Sequence, residues 1–135
     1  MEPEVAGGFG NHTVIDRSSG KIEIKKLHYQ FDGWLGDELL ESTPCFIVSE
    51  RLAHEIEHEQ LTGVRFADLE TSTSDEFREL FPNQRLPTFI WLKVEGRPGE
   101  HDFGITKNLN LVVSETALQL LKRIGISHAA SISPL

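Results

Sequence analysis

A chain of 135 residues with 39% hydrophobic and 25% charged side chains has room for one domain with its own core, and its composition excludes a fibrous or disordered protein. A net charge of −8 argues against a nucleic-acid coat, whose phosphates demand a cationic surface. No apolar run reaches the roughly 20 residues of a membrane-spanning helix, and Glu2 and Glu4 stand where an export leader would be basic, so a cytoplasmic protein with no membrane partner is expected.

Residues 1–12 carry Pro3, Gly7, Gly8 and Gly10 and predict a flexible lead-in, leaving 13–135 as a single α+β domain. Thr13 to Ile15 predicts a short strand and Ser18-Ser19-Gly20 a turn. Ile22 and Ile24, then Leu27, Tyr29 and Phe31, alternate with a slip at Lys25-Lys26, which predicts a bulge or two strands. Asp32 to Asp37 is a glycine-punctuated loop. Its Trp34 reads first as a lid over the core and second as a rigid exposed anchor for a partner.

Cys45 is the only cysteine, so no internal disulfide is possible, and beside an apolar strand it reads as a small buried hydrophobe. Phe46-Ile47-Val48-Ser49-Glu50 then returns sixty-five positions later as Leu111-Val112-Val113-Ser114-Glu115. Each copy predicts a buried strand, a serine N-cap and a helix, because a Ser hydroxyl accepts from an early helical N–H. Leu52, Ala53, Ile56 and Leu61 follow the first copy at helical spacing, and Gly63 precedes one alternating strand through Val64, Phe66 and Leu69. Ala117, Leu118, Leu121 and Ile124 follow the second, Gly125 stops that helix, and an extended segment is expected over Ile126 to Ile132. Thr73 with Glu76 suggests a capping box for a short third helix ending near Phe81. Leu86 to Val94 is the most apolar run and predicts a central strand, with Pro87 at its start; His101 to Gly104 reads as a loop. The expected architecture is a mixed β-sheet with two strand-helix-strand units and a short third helix.

His54-Glu55-Ile56-Glu57-His58 fits the H-E-x-x-H pattern, in which two histidines one turn apart hold zinc and the glutamate activates its water. The context opposes that chemistry. Asp68, Glu70, Asp75 and Glu76 are equally eligible third ligands, and both histidines fall on the polar flank of an amphipathic helix. The pair reads as an exposed surface able to take up metal adventitiously, and neither a metal nor another cofactor is expected. No nucleophile elbow, phosphate-binding glycine loop or C-x-x-C occurs, so no enzyme is expected. His12, His28 and His128 read as isolated surface or strand residues, and His101-Asp102 as a polar turn.

Between Glu50 and Glu79 nine acids face three bases, Arg51, Arg65 and Arg78, which concentrates most of the negative charge in one stretch. It is either a solvated face or a docking surface for a basic partner.

Ser49-Glu50-Arg51-Leu52, followed after a helix by Leu61-Thr62-Gly63-Val64-Arg65-Phe66, resembles a pattern in bacterial immunity proteins that neutralise polymorphic toxins, most closely the eleventh immunity family and its relatives. Leu111 to Glu115, with the helix ending at Gly125, is similar to the closing segment of that group, so the likeness runs from about Trp34 to Ile132. It implies a stoichiometric inhibitor of one cognate toxin. An acidic surface would suit a toxin with a basic active-site cleft, and Trp34, Glu50, Glu55, Glu57, Glu59, Asp68 and Glu70 are the contact residues expected on that reading. The alternatives are a small α+β adaptor or ligand-binding domain and, last, a zinc hydrolase using His54, Glu55 and His58.

Overall fold

Alternating side chains along two adjacent strands decide how the chain is layered. In the computed structural model, which describes residues 2–126, Cys45–Ser49 (β6) pairs antiparallel with Phe89–Val94 (β9), matching Phe46 to Leu92 and Ile47 to Trp91. Phe46, Val48 and Leu92 point to one face and Cys45, Ile47, Phe89 and Trp91 to the other, so both faces of the sheet are buried. Leu39–Ser42 (β5) and Val64–Ala67 (β7) complete it in the order β5-β6-β9-β7. Both β6 and β7 run antiparallel to β9 and hence parallel to each other, with β9 inserted between them.

On the first face lie the helices Glu50–His58 (α1) and Glu115–Ile124 (α3), joined by the hairpin of Phe103–Ile105 (β10) and Leu111–Val113 (β11). Leu52, Ala53 and Ile56 of α1 and Ala117, Leu118, Leu120 and Leu121 of α3 are buried there. Burying one such leucine or isoleucine is worth roughly 1.5–3 kcal/mol. The second face is covered by a three-stranded sheet of Gly7–Phe9 (β1), His28–Phe31 (β4) and Glu70–Thr73 (β8), in which β1 and β4 are antiparallel and β4 and β8 parallel. Phe77 of the short helix Asp75–Leu80 (α2) joins Tyr29, Phe31, Ile47 and Trp91 in that core. Val14–Asp16 (β2) and Glu23–Lys26 (β3) form a separate hairpin.

Two carboxylates anchor the helices of the first face. Ser49 Oγ accepts from Leu52 N and donates to Glu38 Oε1 at 2.7 Å, and Glu38 also pairs with Arg51. Arg51 reaches the Ile124 carbonyl, tying the start of α1 to the end of α3. Ser114 repeats the device, accepting from Ala117 N and donating to Asp102 Oδ1 at 2.7 Å, while the other Asp102 oxygen accepts from Thr62. Burial opposes the charge on Glu38 and on Asp102, but their hydrogen bonds, with Arg51 added at Glu38, hold both below the usual carboxylate range.

The α+β class and the three capped helices are as expected. Several boundaries differ. The glycine-rich lead-in is built into the fold: β1 pairs with β4, and Glu4 is buried and accepts from Leu35 N and Asp37 N. Its glycines permit close approach, since a Cβ on Gly7 would collide with the Gln30 carbonyl and one on Gly10 with the His28 ring. The strand expected after Gly63 is two, β7 and β8, which belong to different sheets. Ser74 caps α2 in place of Thr73, accepting from Phe77 N. Phe103–Ile105 is a strand, where a loop was expected, and β9 starts at Phe89, two residues after Pro87. The segment expected beyond Ile126, with His128, lies outside the described residues. No helix among the described residues is long and apolar enough to cross a membrane.

Candidate functional site

The acidic stretch that is continuous in sequence is divided in space. Glu50, Glu55, Glu57 and Glu59 lie on or directly after α1, on the first face of the four-stranded sheet. Glu70 lies on β8 and Asp68 in the turn before it, in the layer that covers the second face. The acids also differ in how they are compensated. Arg123 of α3 lies 2.8 Å from Glu59 and 4.0 Å from Glu55, so those two help join the helices. Glu70 takes His12 and Lys26, at 2.6 and 3.0 Å, and these hydrogen bonds hold its carboxyl well below the usual range, at about 2. Exposed Glu50, Glu57 and Asp68 form no ion pair among the described residues.

Trp34 belongs to the second layer. Its ring stands edge-on to Phe89 at 6.1 Å, its Nε1 donates to the Asp37 carbonyl at 2.7 Å, and its own carbonyl accepts from Gln84. It is half-buried: it packs against the second core, as a lid would, and also lines a groove. That groove, about 390 Å³, runs between the N-terminal segment and the end of α2 and is lined by Val5, Trp34, Leu35 and Phe81, with Glu4 and Asp32. Val5 and Leu35 are each 67% exposed and Leu80, on α2, 69%. Large side chains held this open to water are the mark of a contact surface when they cluster. Exposed Glu76 and Glu79 on α2 and Asp32 at the groove itself add negative charge that forms no ion pair among the described residues. The carboxylate of Glu4 is turned inward onto backbone N–H groups, which fixes the wall of the groove.

His54 and His58 are exposed on α1, and among the described residues no third histidine, cysteine or acid gathers with them to form a metal-ligand group. Cys45 is buried, and burial pushes its thiol up to about 12, which leaves no thiolate at neutral pH. The structure instead brings together two histidines that seemed isolated. The rings of His12 and His28 lie 5.0 Å apart beside Glu70. Sequence separations of 16 and 58 residues match no ligand motif; the parallel pairing of β4 with β8 sets His28 beside Glu70, and the antiparallel pairing of β1 with β4 brings His12 to His28.

Comparison of the chain with protein-family models, with curated proteins and with solved structures returns no match.

Proposed function

We propose that this chain is a binding protein of the immunity type, which inhibits one bacterial toxin stoichiometrically by covering a basic active-site cleft. The observation that carries the reading is the groove beside Trp34, where Val5, Leu35 and Phe81 are open to solvent next to Asp32, an exposed acid with no ion pair among the described residues. An apolar centre with a polar, charged rim is the anatomy of a protein interface, and aromatic anchors supply most of its energy. The exposed acids of α1, Glu50 and Glu57, lie on the other side of the central sheet; there they add to the field that draws in a basic partner. The partner's contact segment is therefore basic, with at least one apolar side chain to enter the groove.

Tagged protein should capture from its source cell one protein at near-equal stoichiometry. Expression of the captured protein alone should arrest growth, and co-expression of this chain should lift the arrest. A captured partner that is harmless when expressed alone would favour the adaptor reading. Capture of nothing, from cells shown to produce a toxin, would overturn the immunity reading.

A further inference from the structure

His12 in the turn after β1, His28 at the start of β4 and Glu70 at the start of β8 each bring one ligand atom to within 4.8 Å of the others. We propose that this corner binds one divalent transition-metal ion of the zinc class through His12 Nδ1, His28 Nε2 and Glu70 Oε2. Two imidazoles and a carboxylate suit zinc, cobalt or nickel, whereas calcium and magnesium require oxygen donors. The fourth position falls to water or to Ser72 Oγ, which lies 2.7 Å from His28 Nε2.

The three ligands are held to different degrees. His28 is buried at 6% exposure, and its ring fills the space above Gly10. Glu70 is fixed by the β8 backbone. His12 sits on a turn with its side chain 64% exposed, so it is the ligand that adjusts. Three adjustments are needed, and each involves that turn. His12 Nδ1 and Glu70 Oε2 are 2.6 Å apart, a hydrogen-bond distance, whereas ligands about 2.0 Å from a tetrahedral ion stand about 3.3 Å apart. His28 Nδ1 accepts the His12 backbone N–H at 3.2 Å, so Nε2 holds the ring proton and donates it to Ser72. Loading moves that proton to Nδ1, frees the Nε2 lone pair for the ion and displaces the His12 amide, while the Nδ1 proton that His12 donates to the Glu70 carboxylate leaves for His12 Nε2 or solvent. A shift of the His12 turn relieves the 2.6 Å approach and releases the His12 amide from His28 Nδ1.

Lys26 Nζ lies 3.0 Å from Glu70 Oε1 and so leaves Oε2 to the histidines, but its charge opposes a cation. It weakens the site without occupying a ligand position. A loaded ion would clamp the N-terminal segment to β4 and β8, so metal binding and thermal stability rise together.

The test is titration of the full chain with zinc against a chromophoric chelator, with thermal unfolding followed in parallel. One ion per chain is expected, with a higher unfolding temperature on loading. His12→Ala and Glu70→Gln, both at positions outside the core, should each weaken binding at least about tenfold, and Lys26→Met should tighten it. A His54→Ala/His58→Ala variant should bind as the parent does. Absence of saturable uptake, or uptake lost in the His54/His58 variant and retained in His12→Ala, would overturn the proposal. Circular dichroism of each variant separates lost binding from lost folding.

Discussion

Ser49 and Ser114 each hold two hydrogen bonds with one hydroxyl, accepting from the helix and donating to a carboxylate. Alanine at either position removes an N-cap and also takes a donor from Glu38 or Asp102. Each change should cost about 2 kcal/mol in urea unfolding, against about 1 kcal/mol for Ser74→Ala, whose hydroxyl has no acid behind it among the described residues. The carboxylates add a pH dependence with a definite sign. Glu38 and Asp102 are held below their ordinary values in the folded chain, so the unfolded chain takes up their protons first. Their stabilisation is whole above the ordinary carboxylate range near about 4 and drains away as pH falls from there past their lowered folded values. Urea midpoints measured from pH 7 downward should stay level and then drop, and Glu38→Gln should flatten the drop. The serine caps were legible, because Ser-Glu after an apolar run has a local cause. The acids behind them were not, since Glu38 and Asp102 each reach their serine through tertiary packing.

The N-terminal segment shows where composition misleads at the scale of elements. Glycine loses the most freedom on folding, which predicts a loose tail. Here the same absence of a Cβ lets the segment lie directly on β4, and Ala6 N donates to Tyr29 Oη at 3.0 Å. Deleting residues 1–10 should therefore cost at least about 2 kcal/mol, from the buried hydrogen bonds of Glu4 and Ala6 alone. Gly10→Ala should destabilise the fold because its Cβ meets the His28 ring, whereas Gly8→Ala, with open space around it, should be tolerated. Thermal unfolding of the two variants side by side checks the distinction. Strand β5 escaped a sequence reading for a related reason. Leu39 and Leu40 are adjacent apolar residues facing opposite cores, so no alternation marks them.

For the whole molecule, charge counted along the chain overstates the unity of the acidic surface. Helix α1 and helix α2 pack on opposite faces of one sheet, so Glu50 to Glu59 and Asp75 to Glu79 cannot share a flat interface. If the proposed groove is the contact, Leu35→Asp with Phe81→Asp should raise the dissociation rate for a captured toxin by two orders of magnitude or more, about 3 kcal/mol. Reversing Glu50 and Glu57 to lysine should instead slow association severalfold, and the effect should vanish at high salt. Surface plasmon resonance at two ionic strengths separates the two. Trp34 and the charge imbalance were visible in the sequence. The groove was not, because it is made by residues from the N-terminus, the loop after β4 and the end of α2.

The placement of β9 between β6 and β7 also constrains the order of events during synthesis. When a ribosome has released residues as far as Leu69, β6 and β7 are complete but the strand that joins them has not yet emerged. Each then presents an unpaired apolar edge, and α1 has nothing firm to rest on. Residues 89–94 close the gap all at once, engaging both neighbours in a single docking step. A nascent chain stalled before Phe89 should be a preferred client of holdase chaperones, and one stalled well beyond Val94 should not.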